Sequence, residues 1–209
     1  MRKGFFITFE GPDGSGKTTQ IKLLSDYLTS QGYTVILTRE PGGTETGERI
    51  RQIILDPERN EYCNETELLL YAASRAQLVY EVIKPNLEAG NIVISDRYVD
   101  SSVAYQGFGR GLKDYVEMVN DQFTKDCMPD MTLLFKIDDE AAKTRAKGKP
   151  EKNKKQDKDF YKNALAGYEY VEKKYPDRIF PIDASQAIDE IAYKIIKITN
   201  EKCTRRKKG

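Results

Sequence analysis

The sequence predicts an α/β fold of three layers, a five-stranded parallel sheet with helices on both faces. Short β-branched or aromatic runs alternate with helix-length amphipathic stretches, which is the pattern of βαβ units. Each of those runs is too apolar for a half-exposed hairpin strand, so both faces of the sheet should be covered. A glycine-rich phosphate-binding pattern lies between the first strand and the first helix. The 209 residues fit one domain, long enough to bury roughly 70% of the surface of its unfolded chain. No linker or internal repeat divides it.

The strands are expected at Phe5 to Phe9, Thr34 to Thr38, Ile92 to Ser95, Thr132 to Ile137 and Ile179 to Ile182. Between the first two, Ile21, Leu24 and Leu28 recur at helical spacing, and Gly32 stands where a C-terminal cap belongs. A long helical stretch begins near Glu65 and is closed by Pro85 and Gly90. Pro129 introduces the fourth strand and Pro176 precedes the fifth. In the last helix Ile188, Ile191, Ile195 and Ile198 keep the helical period and are read as core.

Composition removes several classes of chemistry. The chain has no histidine, which excludes His general bases, His triads and His-containing zinc sites. Cys63, Cys127 and Cys203 are widely spaced and odd in number, so ordinary thiols are expected rather than a disulfide framework. The net charge of +1 gives no ground for a nucleic-acid partner. No apolar run is long enough to span a bilayer. Met1 to Gly4 lead directly into Phe5 to Phe9 without a cleavage-site pattern, read as the first strand of a cytoplasmic protein. Charge is uneven locally: Lys143, Arg145, Lys147, Lys149, Lys152, Lys154, Lys155 and Lys158 share a window with only Glu151 and Asp157. This polar window, at about 145–158, is expected to form a mobile lid over a site. The basic tail Arg205 to Lys208 reads as a solubilising end.

Gly11-Pro12-Asp13-Gly14-Ser15-Gly16-Lys17-Thr18 matches G-x-x-x-x-G-K-[ST] in its expected strand-to-helix context, a P-loop. Gly14 and Gly16 can take positive φ and turn backbone N–H groups toward phosphate oxygens at the positive end of the next helix. Lys17 is expected to reach the β- and γ-phosphates of ATP, and Thr18 to offer its hydroxyl to Mg²⁺. The apolar run Ile92 to Ser95 ends in Asp96, placed to hold Mg²⁺ directly or through water. A helix N-cap is the structural alternative for Asp96. Arg97, next in sequence, suits bidentate phosphate recognition. The guanine-reading N-K-x-D loop of GTPases is missing, since Asn153-Lys154-Lys155-Gln156 lacks the aspartate.

The whole chain resembles bacterial thymidylate kinases. Phe9 to Gln20 resembles that family's P-loop, Thr38-Arg39-Glu40-Pro41-Gly42-Gly43-Thr44 its second-strand motif, and Leu70-Tyr71-Ala72-Ala73-Ser74-Arg75 its thymine-binding helix. Asp96-Arg97-Tyr98 and Ser101-Ser102-Val103-Ala104-Tyr105-Gln106-Gly107 resemble its acceptor signature. The resemblance implies a P-loop NTPase fold of the nucleoside monophosphate kinase kind, strand order 2-3-1-4-5, transferring the γ-phosphate of ATP to dTMP. It implies that Gly11 to Thr19 hold ATP and that Tyr71 stacks on thymine, with core packing as the competing role for this tyrosine. Arg75 and Gln106 would hydrogen-bond the base, with Ser102 nearby. Arg39, Arg51 and Arg97 would surround the acceptor phosphate. Asp13 and Glu40 would sit by the 3′-hydroxyl and the metal, and Tyr105 would press on C2′ of the sugar. Homodimers through the Glu65 to Glu88 helix are implied as well.

The chain departs from part of that family at Gly14, where other members carry the catalytic arginine. The lid must then supply the charge: Arg145 is the candidate for stacking on adenine, and Lys147, Lys149 and Lys152 for the transferring phosphate. Lysine gives a point charge where arginine gives a fork. Phe160-Tyr161 and Gly167-Tyr168 resemble the post-lid helix, and Ser185 with Gln186 the loop bordering adenine. The rival expectations are a kinase for another nucleoside or nucleotide, or a regulatory or nucleic-acid-dependent P-loop ATPase that would use the basic flap and tail as a polyanion track.

Overall fold

The computed structural model describes residues 4–56, 62–137 and 158–206. Its five strands are β1 (Phe5–Glu10), β2 (Val35–Arg39), β3 (Ile92–Asp96), β4 (Met131–Lys136) and β5 (Ile179–Asp183). They pair in the order β2-β3-β1-β4-β5, every pair parallel. The helices are α1 (Lys17–Ser30), α2 (Glu45–Leu55), α3 (Asn64–Leu78), α4 (Lys84–Ala89), α5 (Val99–Ser102), α6 (Lys113–Thr124), α7 (Lys158–Lys174) and α8 (Ile188–Arg206). Two π-helical segments, Val79–Ile83 and Val103–Gly109, follow α3 and α5.

The period-two alternation of β1 decides what each layer contains. Phe5, Ile7 and Phe9 join Ile92, Ile94, Met131, Leu133 and Phe135 on one face, packed on Ile21, Leu24 and Leu28 of α1 and Ile191 and Ile195 of α8. On the other face Phe6 and Val93 pack on Leu78, Val79, Ile83 and Leu87. Burial of such side chains contributes about 1.5–3 kcal/mol each. The same alternation puts Thr8 and Glu10 on the Phe6 face, both fully buried. A polar column therefore runs under α5 and α7 as the strand approaches the P-loop.

The register fixes the site. Phe9 aligns with Asp96, and Asp96 with Arg39, so the residues that follow these three strands emerge side by side at the carboxyl edge of the sheet. Crevices of this kind are where open α/β sheets hold their ligands.

Strand order and all five strands match the expectation, with ends shifted by one residue at most. Three expectations need correction. The β2 strand is not covered on both sides: it is an edge strand, and Leu37 is 50% exposed. Pro85 does not close the long helical stretch but sits in the first turn of α4. Its missing N–H and its ring are accommodated by the preceding π-helical segment, and Gly90, at φ 89°, ends the helix. Ile188 is not core. It is 57% exposed as the first residue of α8, whereas Ile191 and Ile195 are buried and Ile198 only partly so. Gly32 has φ 84° and its N–H donates to Thr29 O (2.9 Å), as a C-terminal cap should. Cys63, Cys127 and Cys203 form no disulfide.

Candidate active site

The P-loop bends between β1 and α1 with positive φ at Gly11, Gly14 and Gly16. At Gly11 a Cβ would stand 2.4 Å from Phe135 O, so the turn can lie against β4 only without a side chain. Lys17 is buried at the start of α1, and its Nζ donates to the carbonyls of Gly11 (2.9 Å) and Pro12 (2.8 Å). Burial foremost, and then the Arg97 charge, lower its pKa to about 8 against the pull of Asp96, Asp13 and Glu10. Thr18 and Thr19 are exposed on the first turn of α1, and Ser15 is buried.

Arg97 faces the loop from the end of β3. Its backbone has φ 72°, a left-handed conformation costing about 1–2 kcal/mol for a residue with a Cβ. Two hydrogen bonds hold it there, Arg97 N–H to Phe9 O (2.9 Å) and Ser95 Oγ–H to Arg97 O (2.7 Å). The unusual backbone turns the guanidinium over the Tyr105 ring, 5.2 Å from its centroid. Arg97 Nη2 donates to Asp13 Oδ1 (2.8 Å), and Nη1 to Ser101 Oγ and Tyr168 Oη (3.1 Å each). Burial opposes the charge, but Tyr105, Tyr168, Asp13 and Glu10 more than offset it and keep Arg97 cationic.

A second group of side chains lies beside these. Arg75 is fully buried and pairs with Glu40 Oε2 through Nε (2.8 Å) and Nη2 (2.6 Å). It also donates to Asn120 Oδ1 (2.6 Å), Ser102 Oγ (2.9 Å) and Tyr98 O (3.3 Å). Removing one member of a buried ion pair typically costs about 3–5 kcal/mol, so Arg75 braces the floor of the crevice. Arg39 pairs with Glu48 (2.8 Å) at the surface, and Arg51 donates to Pro41 O (2.7 Å). Burial first, and then the Arg39 charge, lower the pKa of Arg51. Tyr71 is partly buried. Burial first, and then Glu67, push its phenol well above the usual range. Gln106 is buried with Nε2 on Glu67 Oε1 (2.9 Å), and Arg110 pairs with the same carboxylate (3.0 Å).

The donor set suits a hard cation. Asp96 Oδ1 and Glu40 Oε1 are both buried and have no hydrogen-bond partner among the described residues. They belong to adjacent strand ends, since Glu40 N–H donates to Asp96 O (2.9 Å). Orphaned carboxyl oxygens of this kind fit Mg²⁺, which takes one or two carboxylates and completes its shell with water and phosphate. No cluster of three or more carboxylates or thiols able to hold a metal occurs among the described residues. Asp96 is not an N-cap, because α5 begins only at Val99.

The structure thus brings Lys17, Asp13 and Arg97 together, and Glu40, Arg75 and Ser102 beside them. Tyr105 joins the first group through its ring. Ser185 lies in the turn after β5, its N–H and hydroxyl bonded to Asp183 Oδ1 (2.9 and 2.6 Å), with Gln186 exposed next to it. Arg145, Lys147, Lys149 and Lys152 lie outside the described residues. Sequence reasoning missed Glu10, Asn120, Glu67 and Asp100, each buried or half-buried and each bonded to residues far away in the chain. None of the four carries a local pattern that marks it as part of the site.

The family model for thymidylate kinase matches residues 9–195. The thymidylate kinase of Thermoanaerobacter sp. is 46% identical over 202 residues, 95% of this chain and 98% of its own. That of Bacillus licheniformis is 44% identical over 203 residues, covering 95% and 96%. The crystal structure of thymidylate kinase from Ehrlichia chaffeensis is similar with a TM-score of 0.78 at 34% identity, over 94% of this chain and 98% of that one.

Proposed function

The chain belongs to the thymidylate kinase family, and from that premise we propose that it transfers the γ-phosphate of ATP to dTMP across the crevice between the P-loop and Arg97. The observation that carries this reading is the Arg97–Asp13 contact of 2.8 Å, which sets a guanidinium opposite the phosphate cradle. Gly11 to Thr19 enclose the ATP phosphates, every residue but Pro12 having a backbone N–H to offer, and Lys17 Nζ leaves its two carbonyls for the β- and γ-oxygens. Arg97, with Arg39 and Arg51, binds the dTMP phosphate. Asp13 then exchanges its arginine contact for the sugar edge, Tyr105 packs on the deoxyribose, and Tyr71 stacks on thymine beside Arg75, Ser102 and Gln106. Ser185 and Gln186 border the adenine.

An oxygen of the dTMP phosphate attacks the γ-phosphorus in line. That P–O bond forms as the bond to the β-bridging oxygen breaks, which gives dTDP and ADP. No covalent enzyme intermediate is needed, so the residues act by position and charge. Mg²⁺, held by Thr18, Asp96 and Glu40, would neutralise the phosphate oxygens. Arg145, Lys147, Lys149 and Lys152, in a lid over about 145–158, add positive charge and exclude water, where a cation 4 Å from the phosphate is worth about 4 kcal/mol rather than about 1 in bulk water. We take the working form to be a cytoplasmic homodimer joined over the Glu65 to Glu88 stretch, whose Leu69 and Tyr80 are 56% and 75% exposed.

A coupled assay with ATP across dTMP, dUMP, dCMP, dGMP and thymidine tests the assignment. The expected result is turnover with dTMP far above the rest, abolished in Lys17→Ala while the circular dichroism stays native. Preference for another acceptor, or ATP hydrolysis without a nucleotide product, would overturn it.

A further inference from the structure

Glu10 is a fully buried carboxyl directly before the P-loop, and the reaction as described does not use it. Its Oε1 accepts from the backbone N–H of Tyr98 (2.7 Å) and of Ser101 (3.3 Å). Its Oε2 accepts from Ser101 Oγ (2.5 Å) and Tyr168 Oη (3.2 Å), and these two hydroxyls lie 3.1 Å apart. Both are also the oxygens onto which Arg97 Nη1 donates. Arginine can only donate, so each hydroxyl that accepts from Arg97 must send its own proton elsewhere; apart from the other hydroxyl, the acceptor in reach of both is Glu10 Oε2, onto which the pair discharges. In its ionised form Glu10 thus sets the direction of two hydrogen-bond chains that end on the guanidinium. It also clamps the backbone from Tyr98 to Ser101, directly after the strained Arg97 residue.

From this geometry we propose that Glu10 is the positioning residue for Arg97, acting through Ser101 and Tyr168, and that it ties helix α7 to the acceptor-phosphate arginine. Arg97 has three sets of contacts. Asp13 is exposed, and the Tyr105 ring lets a cation slide over its face, so neither fixes the fork. The two hydroxyls do. Tyr168 belongs to α7, the element entered directly after the 138–157 segment, so a displacement of α7 is transmitted to Arg97 through one hydroxyl. The proposal rests on reading Arg97 as the contact to the dTMP phosphate.

The test compares Arg97→Ala, Glu10→Gln, Tyr168→Phe and the Glu10→Gln/Tyr168→Phe double variant at about pH 8. It measures KM for dTMP and for ATP, kcat, and the Kd of dTMP alone by calorimetry. Tyr168→Phe keeps the ring and its packing, so it stays informative if Glu10→Gln folds poorly. Expected is a rise of roughly five- to tenfold in the dTMP KM and Kd for each single variant, the size of one ordinary hydrogen bond. The ATP KM should stay within about twofold, and the double variant should be little worse than the worse single one, because both act through one chain. A purely structural role would lower the active fraction and kcat with both KM values unchanged, and would overturn the proposal. Equal shifts in the ATP and dTMP constants, or additive effects, would overturn it too. If Arg97→Ala weakens dTMP binding while Glu10→Gln and Tyr168→Phe do not, this inference fails and the acceptor reading stands. If Arg97→Ala itself leaves dTMP binding intact, the acceptor reading fails first.

Discussion

Burial pulls the two charged side chains at the ends of the P-loop toward neutrality from opposite directions. Lys17 falls to about 8, and Glu10 rises from 4.5 to about 7. For Glu10 the largest cause is loss of solvent and the next is the Asp100 carboxylate. Arg97 and the Ser101 and Tyr98 donors pull the other way, and Arg178, bidentate on Asp100 at 2.7 Å, adds positive charge nearby. A pKa raised in the folded state means that the native protein takes up this proton more readily than the unfolded chain. Its contribution to stability is therefore complete below about pH 4.5 and is lost as pH rises to about 7, a span worth about 3 kcal/mol. Glu10→Gln has no such proton. Urea unfolding over a pH series should show wild type losing about 3 kcal/mol relative to this variant between about pH 5 and 8; a constant difference would mean that Glu10 does not titrate in this window. Lys17 was legible in the sequence because its role is written in eight consecutive residues. Glu10 was not, since its partners lie 88 to 158 residues away and no local pattern announces them.

At the scale of elements, the crevice depends on how closely α7 approaches the second π-helical segment. Tyr105 and Tyr168 meet edge to face at 5.9 Å, and Phe108 and Tyr170 lie 5.2 Å apart. Gly167 permits this. A Cβ there would stand 2.6 Å from Ala104 Cα and 3.1 Å from the Phe108 side chain, and a backbone atom cannot swing aside. Gly167→Ala should therefore push α7 outward, at a cost of about 1–3 kcal/mol from overpacking, and weaken dTMP binding by moving Tyr168 off Arg97. Urea midpoints and the dTMP KM check both parts. Stability equal to or above wild type, as helix propensity alone would give, would show that the two elements are not in this contact. The amphipathic period made these helices readable from sequence, but this close approach was not, because it is decided by a residue with no side chain. For the same reason of context the exposed β2 edge and Ile188 at the rim were misjudged: an apolar run does not reveal whether it is central or terminal.

For the molecule as a whole, the proposed reaction requires two sites at one carboxyl edge, and each nucleotide bound there would favour the folded state by mass action. The sheet order was legible only through the resemblance to the thymidylate kinase family, and the aligned row of Phe9, Asp96 and Arg39 was not legible, because register between strands far apart in the chain leaves no local pattern. How the acceptor arginines divide the work was not legible either. At 100 times its Kd a ligand stabilises by about 2.7 kcal/mol, and a chain of 150–250 residues gains roughly 2–4 °C per kcal/mol. Thermal unfolding should thus shift upward by roughly 5–11 °C with saturating dTMP alone, and again with ADP. Replacing Lys147, Lys149 and Lys152 together by alanine should leave the dTMP shift intact while kcat falls, if these charges act, as proposed, on the transferring phosphate and not on the acceptor. A shift with ADP but none with dTMP would remove the acceptor pocket from this crevice. Loss of the dTMP shift in the triple variant would move the lysines from the transfer step to the binding of dTMP.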